Sequence, residues 1–225
     1  METATASPLV GDCDRTGAVT RSLLGYGVLA GPLYLVVGLI QALTRRGFDL
    51  LHDDLSLLAN GSLGWIQMAN LILAGLMTTA AAIGIRRALP ASPWGARLIA
   101  GCGIGYVLAG VFTADPMNGF PVGTPPGPPT AVSWHSLLHL VAGGLAFLCL
   151  IAACFVLARR LPRGWAVYSR ATGVLFLLSF VGIASGSSSA VVVLGFWFGV
   201  ILSWAWLAAV SLRLYRSTPK ISGQP

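Results

Sequence analysis

Six apolar runs, near residues 23–43, 66–85, 98–114, 135–158, 167–185 and 191–213, constrain this chain more than any other feature. Crossing ~30 Å of hydrocarbon takes about 20 helical residues, and these runs approach or reach that length. Inside hydrocarbon every backbone N–H and C=O must find its partner within the segment, so such runs fold as helices. With 56% hydrophobic and 9% charged residues, the chain has no soluble composition to fall back on. The expected fold is all-α: an integral membrane bundle of six transmembrane helices over 23–215. Residues 1–22 lack the compact apolar core of a signal peptide and read as a disordered cytoplasmic tail, and 216–225 as a second cytoplasmic tail.

The net charge of +7 raises the question of nucleic acid. The basic residues, however, stand singly or in pairs between apolar runs, which is loop punctuation and not a nucleic-acid footprint. Their distribution sets orientation instead. With both termini inside, Arg15, Arg21, Arg86, Arg87, Arg97, Arg159, Arg160, Arg163, Arg170, Arg213, Arg216 and Lys220 are cytoplasmic, and only Arg45 and Arg46 lie outside. That bias follows the positive-inside rule and predicts a multi-pass cell-membrane protein in the lipid bilayer. Cys13, Cys102, Cys149 and Cys154 fall in the tail or inside apolar runs, so no disulfide framework is implied.

The same orientation gathers the useful titratable groups on one side. Asp49, Asp53, Asp54 and Asp115 all lie outside, with His52, His135 and His139 beside them. A purely structural bundle gains nothing from this, so function is sought there. The first outer loop, "GFDLLHDDLSLLANGSLG", places Asp49, Asp53, Ser56 and Asn60 at helical spacing, with Leu51, Leu55 and Leu58 opposite. It is expected to form an amphipathic interfacial helix over 48–60, ended by Asn60-Gly61 and capping the bundle with Asp53 and Ser56 turned inward. The second, "DPMNGFPVGTPPGPPTAVS", is too rich in proline for regular helix. The third, "SGSSSA", offers only hydroxyls.

His135 and His139 stand four residues apart at the start of the fourth run. Residues at that spacing share a helix face, and two imidazoles there can share a metal. Two ligands do not make a site, so a carboxylate from Asp115, Asp53 or Asp54 would have to complete a candidate zinc centre. The simpler reading has each ring bonding a backbone carbonyl, loop or headgroup. Gly27/Gly31 and Gly101/Gly105 are close-packing pairs, and Trp65, Trp134 and Trp165 suit the interfacial aromatic belt. Asn70 and Gln67, in the outer part of span two, Trp134, and Trp197 in span six are the candidate substrate-binding residues or neighbours of an outer site.

The stretches "DDLSLLANGSLGW", "GVFTADPMNGFP" and "WHSLLHL", in consecutive hairpins, resemble a bacterial multi-pass membrane family known as a domain of unknown function (family nine-nine-eight). The resemblance implies a six-helix bundle and supplies no activity. In chemistry alone, the Ser, Asp and HxxxH set is similar to that of membrane zinc amidases of the ceramidase type, which have seven helices and another motif order.

Two enzyme readings follow. In one, zinc on His135 and His139 activates water to hydrolyse a lipid or other apolar substrate, with an Asp as base. In the other, Asp115 or one of Asp53 and Asp54 is a protonated acid, as in membrane terpene cyclases, and span-six aromatics shelter the carbocation. Asp53, Asp54, Ser56 and Asp115 are the candidate catalytic residues. The non-enzymatic alternative is a transporter, sensor or assembly factor. No charge stands at mid-span, where transporters carry one, and the three histidines suit a sensor. Convergence of the outer groups on one cavity separates these classes.

Overall fold

A computed structural model describes residues 9–219 of the chain. It contains six long helices: α1 (Leu9–Thr44), α2 (Gly64–Ala88), α3 (Pro93–Val111), α4 (Trp134–Ala158), α5 (Arg163–Ala184) and α6 (Ala190–Ser217). All six are long and apolar enough to cross a membrane. Each packs on its neighbours in sequence, and α6 returns to α1, closing a ring. Short turns join the helices at the arginine-rich end. The three longer connections all lie at the other, acidic end.

Two expectations change. The tail expected over 1–22 is helical from Leu9 onward, so α1 is longer than its apolar run; residues 1–8 and 220–225 lie outside the described residues. The amphipathic helix expected over 48–60 is absent, and a single 3-10 helix, η1 (Leu55–Ala59), replaces it. The cause is local. The Asp54 side chain accepts from the Ser56 N–H in a cap geometry that holds Asp54 extended, so a helix cannot continue through it. Leu55, Leu57, Leu58 and Ala59 are then all buried, making η1 an apolar plug and not a two-faced interfacial helix. Its Leu55 lies against Gly38 of α1.

The sequence-read glycine pairs stand at helix crossings. A side chain at Gly27 would meet Ser211, and one at Gly31 would come within 2.9 Å of Trp204, so this pair seats α6. Gly105 does the same for α4, with Ala146 2.7 Å from its would-be Cβ. The second loop stitches to the first: Asn118 Nδ2 donates to the His52 carbonyl (3.3 Å), and buried Phe120 stacks edge-on with Phe48 (5.3 Å).

Candidate functional site

The acidic half of the bundle holds a cavity of about 650 Å³. Its floor is aromatic. Tyr34 and Tyr106 line it, and their rings pack on Trp204 at 5.3 and 5.2 Å between centroids. Phe147, Phe180 and Phe196 form one wall, with Phe147 at the centre of the cluster at 5.5 and 5.6 Å from the other two. Gly143 and Gly144 line the α4 side, and Gly143 leaves open space where a Cβ would stand.

The rim is polar and drawn from several elements at this end. Loop one supplies His52, Asp54 and Ser56, loop two supplies Asp115 and Asn118, α4 supplies Ser136 and His139, and α6 supplies Trp197. The two carboxylates are held alike. Asp54 Oδ1 accepts from the Ser56 N–H (2.9 Å) and hydroxyl (2.5 Å). Asp115 accepts from the Ser133 hydroxyl (2.5 Å) and N–H (2.7 Å), and its own N–H donates to Ser136 Oγ (3.1 Å). Ser133 is the N-cap of α4, so Asp115 stands at the positive end of that helix. Desolvation pushes its carboxyl up, but the bonds from Ser133 and Ser136 outweigh that and hold it below the usual carboxylate value.

His139 is fixed from behind. Its Nδ1 lies 2.8 Å from the carbonyls of both Ala109 and Phe112, at the C-terminal end of α3. Carbonyls only accept, so Nδ1 carries the hydrogen and Nε2 carries the lone pair. The residue is 6% exposed and lines the cavity, and Nε2 has no hydrogen-bond partner among the described residues. A buried imidazole whose hydrogen bonds are made by Nδ1 alone therefore lines the same cavity as two carboxylates.

The family model described as "Protein of unknown function (DUF998)" matches residues 28–213. The chain belongs to the DUF998 family. No curated protein and no solved structure matches it. The site of this DUF998 protein therefore has to be read from its own geometry.

That geometry separates the two histidines. His135 lies outside the cavity lining, with Nδ1 2.9 Å from Ser133 Oγ and its ring edge-on to Trp134 (5.3 Å). It stands one turn beyond the end of α3, so the carbonyls that hold His139 are not there to hold it. Among the described residues no three His, Cys, Asp or Glu side chains form a metal-binding group. The candidate zinc pair His135 and His139 therefore has no third His, Cys, Asp or Glu ligand grouped with it among the described residues.

The adjacent acids also part. Asp54 faces the cavity, whereas Asp53 is 0% exposed and lies outside the lining. Asp53 Oδ2 accepts from the Asp49 N–H (2.8 Å), its carbonyl accepts from Trp197 Nε1 (3.3 Å), and its Oδ1 is unpartnered. Desolvation raises its carboxyl above the ordinary value, against the bond from Asp49. Asp53 thus packs α6 against loop one and does not meet the cavity.

Of the candidate substrate contacts, Trp197 lines the cavity, and Asn70, Gln67 and Trp134 do not. Asn70 is buried in an amide network, donating to the Tyr34 carbonyl (3.1 Å) and to Gln67 Oε1 (3.2 Å). Trp134 is 68% exposed on the outside of α4, which suits an interfacial anchor. Sequence reasoning missed Tyr34, Tyr106, Phe147, Gly143 and Ser136. Only Ser136 carried a signal, three residues before His139 in the same short motif.

Proposed function

We propose that this protein is a cell-membrane enzyme with an extracytoplasmic-facing site that hydrolyses a lipid or other apolar substrate, using His139 as general base without a metal. The observation that carries this reading is the free Nε2 of His139, pinned by its opposite nitrogen and opening into an apolar cavity. An apolar chamber with a few convergent polar groups is the usual form of a small-molecule site. The side is read from the basic residues, which crowd the opposite end of the bundle, with both termini cytoplasmic.

In this reading the apolar part of the substrate lies against Phe147, Phe180 and Phe196 and its scissile ester or amide carbonyl reaches the rim. His139 Nε2 takes a proton from water as the water oxygen attacks that carbonyl. The tetrahedral intermediate expels the alcohol or amine, which leaves with the proton returned by His139. The cyclase reading finds suitable aromatic walls but only Asp54 of its three candidate acids: Asp115 is held below the usual carboxylate value by its serines, and Asp53 is outside the cavity.

The test uses full-length protein in proteoliposomes, incubated with a total membrane lipid extract and followed by mass spectrometry. A hydrolysis product is expected, insensitive to chelators and reduced by about 10²–10⁴-fold in His139→Ala, the range general-base catalysis spans. No product above the His139→Ala background, or a product abolished by chelation, sinks the proposal.

A further inference from the structure

Resting on that reading of the cavity, we infer that its ligand is an amphiphile whose head carries a positive charge of the ammonium class, and not a phosphate or carboxylate. Several observations point this way. Asp54 and Asp115 both line the rim, and among the described residues no Lys or Arg does. The one arginine anchored nearby, Arg45, is spent elsewhere: its guanidinium donates to the carbonyls of Leu58 and Asn60, 2.5 Å each, and covers the Phe120 ring at 4.9 Å.

The donors an anion would need are also taken. The N–H groups of Ser56 and Ser133, which could have cradled a phosphate, already point at Asp54 and Asp115. What remains is an excess of acceptors. The carboxylates keep spare lone pairs for the head group, while the unpartnered Nε2 of buried His139 is left to the attacking water. An ammonium brings donors and no acceptor, which matches that excess.

Trp197 adds a face. Its indole edge is tied by Nε1 to the Asp53 carbonyl, one residue from Asp54, so the ring borders the same corner of the cavity. Cations are attracted to such faces, most strongly to tryptophan. Below the head, Gly143 leaves room for a chain against the phenylalanine wall.

The experiment compares three probes of equal chain length: dodecylammonium, dodecanol and dodecyl sulfate. Binding to the full-length protein in neutral maltoside detergent is measured by calorimetry. Non-specific attraction works against the inference, because the chain carries +7 and would favour the sulfate. The ammonium probe is expected to bind at least ~10-fold more tightly than the sulfate, a ratio worth about 1.4 kcal/mol. Asp54→Asn, alone and with Asp115→Asn, should shrink that preference stepwise while dodecanol binding persists.

Asp115→Asn alters the α4 cap and could fail to fold, so Gly143→Leu provides an independent check. It places a side chain in open space and should weaken all bound probes about equally. Equal or tighter sulfate binding, a preference that survives both carboxylate changes, or indifference to Gly143→Leu each overturn the inference. An ammonium preference without lipid turnover leaves this binding class standing and ends the hydrolase reading. Turnover without the preference does the reverse.

Discussion

The arginine-rich end of the bundle is closed and the acidic end is hollow, although the same six helices build both. At the closed end Leu24, Ile85, Ile99 and Leu157 are fully buried. Gly84 brings α2 so near α1 that an added Cβ would lie 2.9 Å from the Leu24 nitrogen, and Gly95 meets Leu157 at 2.6 Å. At the hollow end Gly143 faces nothing within 4 Å. One residue type thus serves opposite purposes: at one end the missing side chain lets helices touch, at the other it leaves space. The charges differ in the same sense. Arg21, Arg97 and Arg213 lie over Tyr215, Trp94 and Trp165 at 4.2, 4.9 and 5.2 Å, as basic side chains do at a membrane boundary. The carboxylates of the other end turn around a cavity. Close packing and open space are therefore segregated along the bundle axis.

The largest effect should come from chemistry at the hollow end. His139→Ala is expected to lower turnover by about 10²–10⁴-fold, whereas His135→Ala, on the same helix but outside the cavity, should change it only a few-fold. Turnover of the two variants in proteoliposomes, with folding checked by gel filtration, makes the comparison. Equal losses would mean that the cavity is not what distinguishes the two rings.

Next in size is stability at the closed end. Trp206 is fully buried and its Nε1 donates to Ser169 Oγ (2.9 Å), joining α6 to α5. Trp206→Ala should cost about 3–5 kcal/mol, the usual loss for a buried aromatic truncated to Ala. Gly84→Leu, which pushes into backbone, should also destabilise or prevent folding. Gly143→Leu should leave the melting temperature near that of the unaltered protein. If Gly143→Leu proves as damaging as Gly84→Leu, the contrast between the ends is lost.

Much of this division is legible in the residues, for a physical reason. Hydrocarbon forces an apolar run to pair its own backbone, so six runs become six helices whatever their side chains touch. The short run at 98–114 becomes α3 starting at Pro93, because Ser92-Pro93 suits a helix start. Residues 48–60 misled because a spacing of three and four matches a helix face, while the bond from the Ser56 N–H to Asp54 breaks the helix. The histidine pair misled similarly: equal spacing says nothing about α3 ending between the two rings. Tyr34 and Tyr106 were beyond reach, since only the packing of α1, α3 and α6 turns those rings into a floor.

The smallest effect expected concerns the acids of the hollow end, and its sign separates two of them. Asp115 has a folded-state value below the ordinary one, so its ionised form favours the fold. That contribution is present above the unfolded value of about 3.9 and is lost as pH falls through the folded value. Asp53 is the reverse. Its raised value means the folded state holds a proton that the unfolded state has released, so stability falls as pH rises from about 3.9 through the folded value. At pH near 7, Asp115→Asn should lower the melting temperature by a few degrees, and the gap should narrow only as pH falls below about 3.9. Asp53→Asn, whose amide oxygen can still accept from the Asp49 N–H, should hold or raise it by a similar amount at pH 7, with no gain near pH 4. Melting curves in detergent from pH 7 to below about 3.9 decide the matter. If both substitutions move the melting temperature in the same direction at pH 7, the difference between an acid facing the cavity and one buried behind it has been misjudged.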